Sequence, residues 1–404
     1  MKKIKLFFIG LKGYMLSLIT LFFVMIAVLL VLNYSFSQYL FINRSGELFG
    51  NGHFDNGLYF QNITPYDQDS QIRLDESLKS LEGNPCVKKV THNINASVHI
   101  NNENYQLELY DQEIYPDMYG TLPIGDWKSM EDGKYCVVIG GVIPKDVPVG
   151  ETVVLKSIIP NNSTELEVKI SGALAYPPMI LKFGYYSSDK KANTADKFYI
   201  HDKVLYLPKN DTTLKIVTEF CDGNTAPITS GVVKYIDSAT EKQKEEVKNI
   251  ISENAAVLYT DTILESTKSY VSDSLRKILP TPSFLLLVSA LSYISIAVLS
   301  IYKKKADYTI YYITGCNKQT MHILASLQVN ITLLITTITT CVGILILKNM
   351  AAKGMYSLPC LIFGWQNVVL TCSVALVIFL IVVFVSSLML RRFSPVEQLK
   401  LTKE

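Results

Sequence analysis

Four stretches of the 404-residue chain are continuously apolar, whereas the sequence between them alternates polar and apolar positions at short range. The first apolar run covers residues 14–33, and no charged side chain falls between Lys12 and Arg44. The others cover 283–302, 322–347 and 366–390. About 20 apolar residues wound as a helix cross the ~30 Å hydrocarbon core of a bilayer, so each run predicts a transmembrane helix. A cleaved leader has a shorter apolar stretch that ends in small residues. Here the run ends Val31-Leu32-Asn33-Tyr34-Ser35-Phe36, the pattern of an anchor.

Residues 34–280 carry a different signature. Strand-like stretches bounded by turn residues occur at Ser97–Ile100, Tyr105–Tyr110, Tyr135–Ile139, Thr152–Ile158, Glu165–Ile170, Val204–Leu207, Ile216–Thr218 and Val232–Ile236. Asn101-Asn102-Glu103-Asn104 and Pro160-Asn161-Asn162-Ser163 are hairpin-type connections. Helical periodicity appears in Arg73–Leu81 and in Ala239–Ser252, where Val247, Ile250 and Ile251 form an apolar stripe. The prediction is a mixed α/β domain flanked by two stalk helices. One stalk, about 34–50, continues the first span. The other, about 262–279, repeats Ile263, Tyr270, Val271, Leu275, Ile278 and Leu279 at helical spacing until Pro280 and Pro282 break it. The fold class expected is therefore an α-helical membrane protein with four transmembrane helices, arranged one plus three. A large extracytoplasmic mixed α/β domain lies between the first and second.

Charge sharpens this picture. Only 18% of residues are charged, against about 25% in soluble domains. The shortfall sits in the four uncharged runs, which exclude a cytosolic enzyme, a secreted domain and a nucleic-acid binder. Tyr34–Pro280 holds 33 acidic and 24 basic residues, a net of −9, so the remainder carries +11. That positive excess clusters beside the apolar runs, at Lys2, Lys3, Lys5 and Lys12, at Lys303, Lys304, Lys305 and Lys318, and at Arg391, Arg392, Lys400 and Lys403. Basic flanks face the cytoplasm, which places 1–13, 303–321 and 391–404 inside and 34–280 and 348–365 outside a cell membrane. The same role accounts for the basic clusters without nucleic acid as a partner. Ile4, Phe7, Phe8 and Leu11 oppose Lys2, Lys5 and Lys12, as in an amphipathic helix resting on membrane lipids.

The spans contain no Asp, Glu, Lys or Arg, whereas ion-coupled carriers keep ionisable groups at membrane depth. Ser289, Ser292, Ser295 and Ser300, with Asn330 and Thr332, Thr336, Thr337, Thr339 and Thr340, suit helix packing and interhelical hydrogen bonds. No phosphate-cradling GxxxxGK[ST] loop occurs, nor an HExxH or CxxC pair. His92 and His99 lack a compact zinc spacing and are expected at the surface. The external cysteines Cys86, Cys136, Cys221 and Cys360 leave a disulfide open without specifying its partners. Neither a catalytic cluster nor a cofactor site is expected.

The segment Asp307-Tyr308-Thr309-Ile310-Tyr311-Tyr312-Ile313-Thr314-Gly315-Cys316-Asn317-Lys318-Gln319 resembles the inner loop of FtsX-like, MacB-type ABC transporter permeases. That loop runs from an acidic residue through an apolar stretch to Leu-Gly-Ala-Ser-Arg. Asp307, Gly315 and Lys318 keep its pattern, and Cys316 and Asn317 replace its small pair. Arg391-Arg392-Phe393-Ser394-Pro395-Val396-Glu397-Gln398-Leu399-Lys400 is similar to the closing signature of the same permeases. Val137–Gly141, Val147–Val153 and Val168–Leu174 resemble their inserted β-rich subdomain, expected here at about 131–205.

The resemblance implies a type VII, mechanotransmission-like permease acting with a second permease copy or a related permease. MacB carries an ATPase ahead of its first span. Only residues 1–13 precede the span here, so the expected ATPase is a separate subunit. Asp307, Tyr308, Tyr311, Tyr312, Ile313, Gly315 and Lys318 are the expected ATPase-coupling residues. Tyr308–Gly315 has the aromatic and apolar anchors of a docking helix. The chain itself is not expected to be an enzyme. Export of, or resistance to, a peptide, antibiotic or lipid-linked substrate is the leading functional expectation. The alternative is a non-transporting signalling or scaffold subunit, whose external domain activates a cell-wall hydrolase or reports a ligand to a sensor kinase. An extracytoplasmic accessory protein or peptide is a further expected partner.

Overall fold

The structure is a computed structural model that describes residues 15–50, 54–64, 67–101, 103–110, 124–126, 130–131, 133–140, 148–173, 194, 203–224, 228–304, 307, 309–310, 313–315, 317–353 and 361–391. The chain divides into two compact units. One takes residues up to Ser37, Leu275–Lys348 and residues from Phe363 on; the other takes Gln38–Ser274 and Asn349–Ile362.

In the first unit lie the apolar helices α1 (Met15–Phe49, as far as Ser37), α6 (Pro280–Lys303), α7 (Lys318–Ala352) and α8 (Trp365–Arg391). Among the described residues four helical stretches are long and apolar enough to cross a membrane: Ser17–Phe49, Thr260–Lys303, Asn330–Met350 and Trp365–Met389. Leu21, Met25, Tyr293, Ala297, Leu333, Ala375, Ile378 and Val382 form the core of the bundle. The serines and threonines expected to join helices mostly turn back on their own: Ser289, Ser292, Ser295, Thr336 and Thr337 donate to carbonyls one turn earlier. A short hydroxyl side chain reaches its own i−4 carbonyl more easily than a neighbouring helix. Hydrogen bonds between spans include those that join α1 to α8. Asn33 Nδ2 donates to Thr371 Oγ1 at 2.9 Å, and Asn367 Nδ2 donates to Ser37 Oγ at 2.9 Å.

The second unit contains two sheets. The first is antiparallel with order β12-β1-β11-β2, from β1 (Gly57–Asn62), β2 (Val87–His92), β11 (Ser230–Tyr235) and β12 (Ala255–Tyr259). Helices α2 (Gln68–Glu82) and α4 (Glu241–Ser252) cover it, burying Leu74, Leu78, Leu81, Val247 and Ile251 against Leu58, Phe60 and Val233. Both helices begin at side-chain caps, Asp67 accepting from Ser70 N and Thr240 from Gln243 N. These caps satisfy amide donors that have no partner within the helix.

The second sheet is built from β3 (Asn95–Ile100), β4 (Glu103–Tyr110), β5 (Ile124–Gly125), β6 (Met130–Glu131), β7 (Lys134–Gly140), β8 (Thr152–Ser157), β9 (Glu165–Ala173) and β10 (Val204–Pro208). Its order is β5-β9-β8-β3-β4-β10-β7-β6, and an added parallel pairing of β9 with β7 closes six of the strands into a ring. Closure removes the open edges on which strands aggregate. The interior follows the period-2 rule, taking Ala96, Val98 and Ile100 from β3 and Val168 and Ile170 from β9. The hairpin turns expected at 101–104 and 160–163 are present, with Asn101 at φ +49° and Asn161 at φ +70°, a region asparagine tolerates.

Three expectations change. Ile216–Thr218 is not a strand but part of α3 (Asp211–Phe220), whose Thr213, Val217 and Phe220 face inward at helical spacing. Asn210 caps this helix by accepting from Thr212 N and Thr213 N, and that local signal outweighs the β-branched run. Pro280 and Pro282 interrupt α5 (Thr260–Ile278) and α6 for only one residue. Leu279 keeps helical dihedrals, Leu279 N bonds Leu275 O, and Ser283 N bonds Leu279 O. Proline is tolerated in a first turn, where its missing N–H matters little. His92 and His99 are half-buried on β2 and β3 rather than at the surface. Beyond Gln38, α1 lies beside α5, where a Cβ added to Gly46 would meet Thr267 Cγ2 at 3.4 Å.

Candidate functional site

The segment between α6 and α7 carries the expected coupling residues. Asp307, Thr309, Ile310 and Ile313 are helical, and Thr314 N closes the turn on the Ile310 carbonyl at 2.9 Å. Gly315 then takes φ +92°, the left-handed conformation that ends helices and that glycine enters without a Cβ penalty. Ile313 is exposed, as is Ile310 three residues earlier, so the two share one face of the turn. Asp307 is exposed, and Lys318 opens α7. Tyr308, Tyr311 and Tyr312 lie outside the described residues, as do the N-terminal amphipathic segment and residues 392–404. Ile310 is the residue that the sequence reading passed over, although its i,i+3 spacing to Ile313 was visible.

At the head of this segment Lys304 is buried. Burial draws its ammonium below the ordinary lysine value, and the charge of Asp307 opposes that shift. The turn therefore presents two isoleucines beside one buried cation and one exposed carboxylate. Among the described residues no group of three or more His, Cys, Asp or Glu is placed to hold a metal ion.

The external motif segments converge in the closed sheet. Val137–Gly140 lies in β7, Thr152 and Val153 begin β8, and Val168–Ala173 lies in β9. Gly150, at φ +99°, turns the chain into β8, and its N–H bonds the Ile170 carbonyl at 2.8 Å. Among the described residues Cys86, Cys221, Cys341 and Cys372 are free thiols.

Together these features define a membrane protein with a mixed α/β domain inserted between the first and second of four apolar spans. No family model and no curated protein matches the chain. Among solved structures it is similar to the periplasmic region of MacB from Actinobacillus actinomycetemcomitans. That match has 14% identity and a TM-score of 0.31, and covers 54% of this chain and 95% of that one. It is also similar to the extracellular domain of the noncanonic ABC-type transporter YknZ from Gram-positive bacteria. There the identity is 13% and the TM-score 0.27, with 50% of this chain and 98% of that one covered.

Proposed function

We propose that the chain is an FtsX-like, MacB-type permease subunit of an ABC transporter, which turns ATP hydrolysis by a separate subunit into movement of its external domain. The observation that carries this reading is the 307–318 segment, a helical turn with exposed Ile310 and Ile313 stopped by a left-handed Gly315. A short apolar-faced helix of this kind fits a groove on a partner by its apolar anchors. The permease-like motifs at both ends of the last two spans and in the closed sheet support the same reading. So do spans free of charge, which handle no charged solute at membrane depth.

In this mechanism two permeases and two ATPases work together. ATP closes the ATPases, the 303–321 loop receives that motion, and α1 and α5 carry it outward. The cargo is a peptide, antibiotic or lipid-linked molecule handled outside the bilayer. No step of bond chemistry is assigned to the chain itself. The 34–280 domain faces outward and both termini face the cytoplasm, in accord with the basic flanks.

The test is co-purification. An ABC ATPase, identified by mass spectrometry, should accompany the tagged chain from native membranes, and replacing 308–315 with a Gly/Ser linker should abolish the association while the external domain still melts normally. An unchanged complex refutes the docking role. A signalling or scaffold role shares this architecture, and is distinguished by capture of a cell-wall hydrolase without any effect on substrate export.

A further inference from the structure

Ser45 on α1 and Thr267 on α5 are both buried, and each hydroxyl donates to its own helix. Ser45 Oγ bonds the Ile42 carbonyl at 2.7 Å, and Thr267 Oγ1 bonds the Ile263 carbonyl at 2.7 Å. A hydroxyl has a single proton, so both oxygens can only accept from any further partner. Thr194 supplies the two donors. It belongs to the connection between β9 and β10 and is fully buried. Its N–H donates to Thr267 Oγ1 at 2.9 Å, and its hydroxyl lies 2.9 Å from Ser45 Oγ, where it must be the donor. Gly46 lies at the same level: a Cβ there would come 3.4 Å from Thr267 Cγ2 and 3.8 Å from Thr194 Oγ1. A side chain larger than alanine would press on both.

We propose that Thr194 is a strap, a double donor that fastens the β9–β10 connection to α1 and α5 at once and sets the spacing of those helices. A residue that merely filled space would be replaced without effect by one of the same shape. A strap would not, because valine matches threonine in shape but lacks the hydroxyl proton. The bridge also has a direction: neither helix hydroxyl can donate to the other, so without Thr194 the pair has no hydrogen bond to hold it together. The inference concerns the external unit alone and holds whether or not an ATPase drives the chain.

The experiment is hydrogen–deuterium exchange on the full-length chain in lipid nanodiscs without nucleotide, comparing wild type, Thr194→Val, Thr194→Ser and Gly46→Val. Thr194→Val keeps the N–H bond to Thr267 and removes the hydroxyl bond to Ser45. It should therefore speed exchange in α1 residues 42–49 by about fivefold, the effect of one net hydrogen bond, and leave α5 residues 263–271 close to wild type. Amides of β1 and β11 should stay unchanged, and Thr194→Ser should behave as wild type. Gly46→Val, which presses on Thr267 as well as Thr194, should speed exchange in both helices with Thr194 intact. Exchange in Thr194→Val that matches wild type overturns the proposal. Acceleration confined to α5, or spread evenly over the whole domain, overturns it as well.

Discussion

Asn93 joins the two places where the chain passes between the open sheet and the closed one. It follows β2 directly, and its Oδ1 accepts from Thr229 N at 2.8 Å and from Ser230 N at 3.1 Å, just as the chain enters β11. Asn93 and Ser230 are both buried. Asn93→Ala removes the acceptor and leaves two backbone donors without it. The buried Ser230 N–H has no route to water and costs about 1–3 kcal/mol, and the half-buried Thr229 N–H costs about 1 kcal/mol. The expected loss is about 3 kcal/mol. For a domain of this size each kcal/mol lowers Tm by about 2–4 °C, so the external domain should melt roughly 6–12 °C earlier. Differential scanning fluorimetry on the purified full-length chain measures this. Ser97→Ala, on the exposed face of β3, serves as the control and should stay within about 0.5 kcal/mol. A loss under about 2 °C in Asn93→Ala would refute the role of Asn93 in joining the two sheets.

Gly231→Ala should destabilise the same domain by about 2 kcal/mol or more in a thermal melt, because its Cβ would sit 2.3 Å from Thr91 O and 2.6 Å from Phe60 Cζ; an unchanged Tm would contradict that packing. Burial lowers His92 to about 4, against the favourable bond of its Nδ1–H to the Asn93 carbonyl, with Lys209 lowering it further and Asp75 raising it. Stability from the neutral ring is thus complete above about pH 6.5 and is lost as pH falls toward 4, where the unfolded chain binds a proton that the folded chain refuses. Between pH 7 and 5 the wild type should lose about 1–2 kcal/mol more than His92→Gln, and parallel Tm–pH curves would disprove it. Asn367→Ala removes the acceptor of Gly364 N and the donor to Ser37 Oγ and the Asn33 carbonyl. Titration with a denaturing detergent should show the span bundle weakened by about 1–2 kcal/mol, and no change would leave the α1–α8 clasp without energetic weight.

Much of the architecture was legible in the linear order of residues because hydrophobic length and turn chemistry are local properties. The four spans, the hairpins at Asn101 and Asn161, the two charged helices and the continuation of α1 past Tyr34 all follow from patterns within one segment. The helical turn that Gly315 ends was legible for the same reason, since a glycine after an apolar turn favours the left-handed conformation that stops a helix. What failed were judgements in which neighbours decide. Val87–His92 and Ala255–Tyr259 are strands because β11 and β1 pair with them, and their own sequences alternate too weakly to predict it. Closure of the second sheet required β9 to meet β7 across an intervening strand. The meeting of Ser45, Thr194 and Thr267 was likewise invisible, because hydroxyl residues about 150 and 70 positions apart show no periodicity. Local chemistry along the chain determines which segments become helices, spans and turns; the donor and acceptor pairs that bind them exist only once tertiary folding has brought distant residues within 3 Å.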